Sequence, residues 1–103
     1  MSRLRLRVSK SAARDFVAIG QFTLKRWGDA LCQRYLAALD LAMHSLLRNP
    51  GLGRPCDDIR AGYRRLLCGR HVVFYKVGTT NLDVIRVLHE RMLPKAHLDE
   101  SAD

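Results

Sequence analysis

The sequence predicts an α+β fold: an N-terminal strand, a helical hairpin, then a three-stranded antiparallel meander, with all strands forming one sheet. Three observations carry this reading. Residues 3 to 8, RLRLRV, alternate strictly between arginine and apolar side chains. Two stretches between Lys10 and Arg48 carry apolar residues at helical spacing, and from Ile59 onward the spacing becomes strand-like.

In RLRLRV the alternation sets Leu4, Leu6 and Val8 on one face and Arg3, Arg5 and Arg7 on the other. Such a strand needs a sheet to join. Ser9 or Ser11 can cap the helix that follows, in which Ala12, Phe16, Ile19 and Thr23 form an inward stripe with Lys10, Arg14, Lys25 and Arg26 outside it. Gly28 is placed to stop this helix just after Trp27, and Asp29 to cap the next. In the second helix Leu31, Tyr35, Leu39, Ala42 and Leu46 share one face, widened by Leu36, Met43 and Leu47. So broad a face is expected to touch both the first helix and the sheet. Pro50 disfavours helical geometry at Asn49, and PGLGRP forms the exit loop.

Three further strands are predicted at about 60–68, 70–77 and 82–88, separated by Cys68-Gly69 and by Gly78 to Asn81. Residues 1–98 are expected to form a single domain and 99–103 a flexible acidic tail. No internal repeat or low-complexity segment interrupts them.

The apolar stretches fall far short of the roughly 18 residues that span a bilayer, and the N-terminus lacks the apolar core of a signal peptide. No membrane contact and a cytoplasmic location are expected. Cys32, Cys56 and Cys68 are odd in number and widely spaced, so they read as reduced thiols rather than a disulfide framework or zinc site. The formal charge of +8 is the strongest compositional signal. Fourteen of the eighteen cations are Arg, which favours bidentate recognition of carboxylate or phosphate and draws acidic partners.

Neither the His residues nor the Cys residues have metal-ligand spacing, so no metal or other cofactor is expected. No glycine-rich phosphate loop is present. Cys68 with His71 or His89 offers the residue types of a nucleophile and base, but no motif supports that pairing, and a structural thiol is the simpler reading. The stretch YRRLLCGRHVVFY, residues 63 to 75, places Arg64, Arg65, Arg70 and His71 among sheet residues. With Tyr75, His89 and Arg91 these are the chemical types of a phosphate-cleaving site. Strand alternation sends Arg64 and Arg65 to opposite faces, and likewise Arg70 and His71. They then cannot all serve one site, and solvated strand positions or a docking surface become the competing readings.

The order of elements, together with Trp27-Gly28, Tyr35 and Leu39, NPGLGRP at 49 to 55, GYRRLLCGRHVVFYKV at 62 to 77 and VIRVLHERMLPKAHL at 84 to 98, resembles the RelE/ParE superfamily of bacterial toxins. The nearer resemblance is to its ParE branch and covers about residues 4 to 98. It implies the toxin of a type II toxin–antitoxin pair, of the kind that serves plasmid stabilisation, held in a hetero-oligomer by a ParD-like antitoxin with an acidic segment. ParE-branch toxins inhibit DNA gyrase without chemistry of their own, whereas RelE-branch toxins cut messenger RNA on the ribosome.

Aligned on Tyr75, Val72 stands where RelE-like nucleases carry a phosphate-binding Arg. The expected activity is therefore non-enzymatic gyrase inhibition, with no catalytic residues and no direct sequence-specific nucleic-acid binding. The alternatives are a ribosome-dependent endoribonuclease using His71, His89, Arg64 and Arg91, and an inert homologue that only binds antitoxin. For target contact the candidates are Arg64, Arg70, His71, His89, Arg91, Met92 and His97. Antitoxin is expected on the open groove between helices and sheet, with Arg5, Arg7, Arg14 and Arg34 as candidates.

Overall fold

The computed structural model describes residues 3–92 together with Pro94 and Leu98. The expected flexible tail 99–103 and the candidate His97 lie outside the described residues. Strand β1 (Arg5–Val8) leads into helices α1 (Lys10–Trp27) and α2 (Asp29–Arg48). A short 3-10 turn, Pro50–Leu52, is followed by β2 (Arg54–Pro55), β3 (Tyr63–Cys68), β4 (His71–Val77) and β5 (Asn81–His89).

The sheet has five strands in the order β1-β5-β4-β3-β2, one more than expected. The addition is β2, which pairs Arg54 with Arg65 and Pro55 with Arg64. Two residues containing a proline carry no periodicity, and Pro is tolerated there because the strand is an edge. At the opposite edge β1 runs parallel to β5, with Leu6 opposite Leu82 and Val8 opposite Val84. The helical hairpin supplies the long crossover that a parallel pairing requires.

Ser9 fixes the start of α1. Its hydroxyl accepts the Ala12 N–H at 3.0 Å and donates to the Ile85 carbonyl at 2.7 Å, so a helix cap also ties the β1–α1 corner to β5. Gly28 serves both helices: its N–H donates to the Leu24 carbonyl, its own carbonyl accepts the Cys32 N–H, and its φ of 90° favours glycine. Asp29, expected as the cap of α2, is instead its first residue, where a carboxylate still favours the positive end of the helix dipole.

On the helix side of the sheet Ala12, Ile19, Leu39, Met43 and Leu46 pack on Val73, Tyr75, Leu82, Val84 and Val87. Two expected inward residues face out: Val8 is 42% exposed and Leu31 44%. Val8 ends its strand where the chain turns away, and the phase of α2 gives the buried position to Cys32 rather than Leu31. The opposite face is covered by a second cluster of Cys56, Phe74, Leu88 and Leu98, with Ile59, Tyr63, Val72 and Ile85 against it.

Strand β5 contains an irregularity that matters for the site. Tyr75 pairs with Val84 but its neighbour Phe74 pairs with Arg86, so one extra residue is inserted in β5. A bulge of this kind reverses the alternation beyond it. Val84 and Val87, three apart, consequently face the same core. The same shift carries His89, opposite His71, to the helix side.

Candidate functional site

The imidazoles of His71 and His89 meet edge to face, with ring centroids 5.4 Å apart. Tyr35 of α2 closes on His71 from the other side, its ring 5.5 Å away and its hydroxyl bonded to His71 Nδ1. The Tyr35 oxygen also accepts the Arg70 backbone N–H at 3.0 Å. Its single proton is thus directed to Nδ1, and His71 carries its own proton on Nε2. Burial, then the adjacent His89, lowers the His71 pKa and keeps the ring neutral at neutral pH. His89 Nδ1 accepts the Arg91 backbone N–H at 3.2 Å, which assigns the neutral ring the same Nε2–H form. Burial pushes the Tyr35 phenol up, so it stays protonated.

These residues line a cleft of about 500 Å³ with Arg70, Arg91, Phe22, Thr23, Arg26 and Trp27. A second recess of about 310 Å³ continues from Phe22, His71 and His89 to Asp15, Val87 and Met92. Of the expected target-contact residues, Arg70, His71, His89, Arg91 and Met92 therefore share one continuous depression. The reading that Arg70 and His71 point to opposite faces does not hold, because Arg70 lies in the β3–β4 turn rather than in a strand. Gly69, at φ 60°, makes that turn, and a Cβ there would sit 2.7 Å from the Tyr35 ring.

Arg64 stands apart from the cleft. Its guanidinium donates to the Gly53 carbonyl at 2.7 Å and 3.0 Å and to the Gly51 carbonyl at 3.3 Å. Buried Tyr75 completes this brace, accepting the Gly53 N–H at 2.9 Å and donating to the Pro50 carbonyl at 2.7 Å. The NPGLGRP segment is thereby pinned to β3 and β4. Val72 faces the opposite side of the sheet from His71, within the Phe74 and Leu88 cluster. Cys68 is half-buried beneath α2 and its thiol is pushed up by burial, which disfavours the thiolate a nucleophile needs.

The wall of the cleft is set by an ion pair that the sequence did not reveal. Asp15 of α1 accepts Arg86 Nε at 2.7 Å and a terminal guanidinium nitrogen at 2.8 Å, and also the Val87 N–H at 2.9 Å. Both side chains are only 13% exposed. Phe22, Arg26, Trp27 and Tyr35 were also missed as cleft residues. Phe22 lies outside the inward stripe, a signal that could have marked it.

The expected antitoxin residues are spread over the other surfaces. Arg5 and Arg7 lie on the β1 edge, where Arg7 pairs with Asp83 at 2.6 Å. Arg14 and Arg34 are exposed on α1 and α2. Between these helices runs an apolar groove of about 410 Å³, lined by Phe16, Val17, Gly20, Gln21, Leu24, Cys32 and Leu36. Val17 is 61% exposed and Leu24 50%, an apolar strip facing solvent. Among the described residues no three His, Cys, Asp or Glu converge as metal ligands, and no helix is long and apolar enough to cross a membrane.

Residues 6–94 match the family model described as the ParE toxin of the type II toxin–antitoxin system parDE. Toxin ParE1 of Caulobacter vibrioides is 40% identical over 92 residues, covering 89% of this chain and 95% of that protein. Toxin ParE1 of Mycobacterium tuberculosis is 43% identical over 86 residues, covering 82% and 88%. Among solved structures, a toxin chain of the chromosomal ParDE system of P. aeruginosa superposes with a TM-score of 0.74 at 20% identity, covering 84% of this chain and 96% of that one. A chain of the RelBE2 toxin–antitoxin complex of Mycobacterium tuberculosis gives 0.65 at 24%, covering 84% and 98%. These two likenesses are of fold.

Proposed function

Because the chain belongs to the ParE toxin family of type II toxin–antitoxin systems, we propose that it inhibits DNA gyrase in the cytoplasm by protein–protein contact and is neutralised by a ParD-like antitoxin. Residues 1–98 act as a single toxin domain in this reading. The observation that carries it is the layout of the polar groups. The residues of a RelE-like nuclease do not converge here: Arg64 is spent on Gly51 and Gly53, and Val72 occupies the sheet face opposite His71 and His89. What remains is a cleft with exposed aromatic and cationic walls, suited to holding a partner rather than transferring a proton. Arg70, His71, His89, Arg91 and Met92 are its target-contact set.

The antitoxin takes the helical hairpin. An acidic amphipathic segment finds apolar seating against Val17, Leu24 and Leu36 and cations at Arg14 and Arg34, and the β1 edge with Arg5 can accept an added strand. Arg7 contributes less, being already paired with Asp83.

The test is binding of the antitoxin-free chain to immobilised gyrase, alongside incubation with translating ribosomes. Gyrase capture that prebound antitoxin prevents, with messenger left intact, is the expected result. Cuts at the ribosomal A site that vanish in H71Q and H89Q would establish the nuclease instead. Neither activity, with antitoxin binding retained, would mark an inert homologue.

A further inference from the structure

The cleft offers hydrogen-bond donors almost exclusively. His71 and His89 both have Nδ1 engaged as an acceptor, which leaves each neutral ring an Nε2–H donor. Arg26, Arg70 and Arg91 line the same space. Among the described residues the one carboxylate paired with any of the three is Glu90, 3.5 Å from Arg70. A site of this character selects a ligand that only accepts, either a phosphate or a carboxylate.

The aromatic walls decide between them. Phe22 is 66% exposed and Trp27 57%, the latter with the Arg26 guanidinium 5.2 Å from its ring centroid. Large aromatic faces left in solvent beside guanidinium groups are the two ingredients of single-strand binding: bases stack on the rings while the backbone follows the cations. An acidic peptide would use the cations and leave the rings with little to do.

We propose that the cleft between Trp27, His71, His89 and Arg91 is a binding site for single-stranded nucleic acid, holding a phosphodiester at Arg70, Arg91 and the two imidazoles with a base against Trp27 or Phe22. Such binding is sequence-tolerant, since every base has a stacking face and every linkage the same charge. It rests on the target-contact reading only in sharing the cleft, and it is measured without gyrase, so either can fail alone.

Trp27 is the single tryptophan of the chain, so its fluorescence reports on the cleft directly. Titration of the full chain with oligothymidylate of about 12 nucleotides should give saturable quenching. By anisotropy, W27A should bind about tenfold more weakly. R91A should weaken binding and flatten the slope of log affinity against log salt by about 0.7, and R91K should recover part of the affinity. R48A removes an equal charge at the far end of α2 and should change little. Circular dichroism checks that each variant is folded. Absence of quenching, or equal losses in R48A and R91A, would overturn the site in favour of diffuse attraction. Quenching by inorganic phosphate alone at the same concentration would make it a free-phosphate site. Polyglutamate binding as tightly, with the same dependence on Arg91 and Trp27, would make it a dock for acidic protein, and either result would overturn the proposal.

Discussion

The Tyr35 hydroxyl joins α2 to the β3–β4 hairpin through two residues adjacent in sequence, accepting the Arg70 N–H at 3.0 Å and donating to His71 Nδ1. One side chain therefore fixes both the turn that carries Arg70 and the tautomer of His71. Y35F should lose both bonds and leave the Arg70 N–H without this partner, costing roughly 1–3 kcal/mol. Urea unfolding measures that loss, and an NMR titration of His71 should move at the same time.

The depressed His71 pKa makes stability depend on pH. Burial, then His89, disfavours the imidazolium, while Asp15 and Glu90 oppose them more weakly and Tyr35 holds Nδ1. The unfolded ring, with its ordinary pKa of about 6.5, takes up a proton that the folded ring resists. The stability contribution is complete above that value and is lost as pH falls through it towards the lower folded pKa. Urea midpoints should drop between about pH 7.5 and about pH 5.5, and should drop less in H71Q.

Asp15 and Arg86 form a buried pair whose halves are not equally replaceable. Removing one partner strands a buried charge, so D15A should cost about 3–5 kcal/mol. Replacing both together, as D15L with R86M, should recover most of that loss. A double-mutant cycle by chemical denaturation checks it, and equal losses in the single and double variants would show that the pair contributes little.

Gly53 lies against the loop brace. A Cβ there would sit 2.6 Å from both the Arg65 carbonyl and the Tyr75 hydroxyl, so G53A should destabilise by roughly 1–3 kcal/mol through overpacking. R64A should loosen the same loop and lower stability, while gyrase inhibition per folded molecule stays near wild type. A loss of inhibition with stability unchanged would return Arg64 to the target surface.

The exposed strip on α1 should govern antitoxin capture. V17D and L24D place a charge where an apolar segment would seat, and should weaken binding to a ParD-like antitoxin by tenfold or more at an apolar anchor, a scale of about 1.4 kcal/mol or more. Calorimetric titration measures this, and unchanged affinity in both would move the antitoxin to another surface.

The elements that announce themselves by period were legible in the sequence: RLRLRV, the two helical stripes with glycine between them, and β3 to β5. The residues that failed were those placed by tertiary geometry. Arg54–Pro55 has no alternation to betray it as a strand. The β5 bulge, which brings His89 beside His71, is a single inserted residue in a pattern that reads equally well without it. Arg70 looked like a strand position until Gly69 turned the chain, and that moved it from the wrong face into the cleft. Phe22 and Trp27 lie off the inward stripe, and only the fold sets them opposite the histidines. The distant pair of Asp15 and Arg86, separated by most of the chain, leaves no local trace.

The most direct measurement is gyrase supercoiling of relaxed plasmid, titrated with the antitoxin-free chain. Supercoiling should fall in proportion to added chain, return when antitoxin is supplied, and persist in the presence of R91A or M92D. Normal supercoiling at a large molar excess of folded wild-type chain would contradict gyrase inhibition.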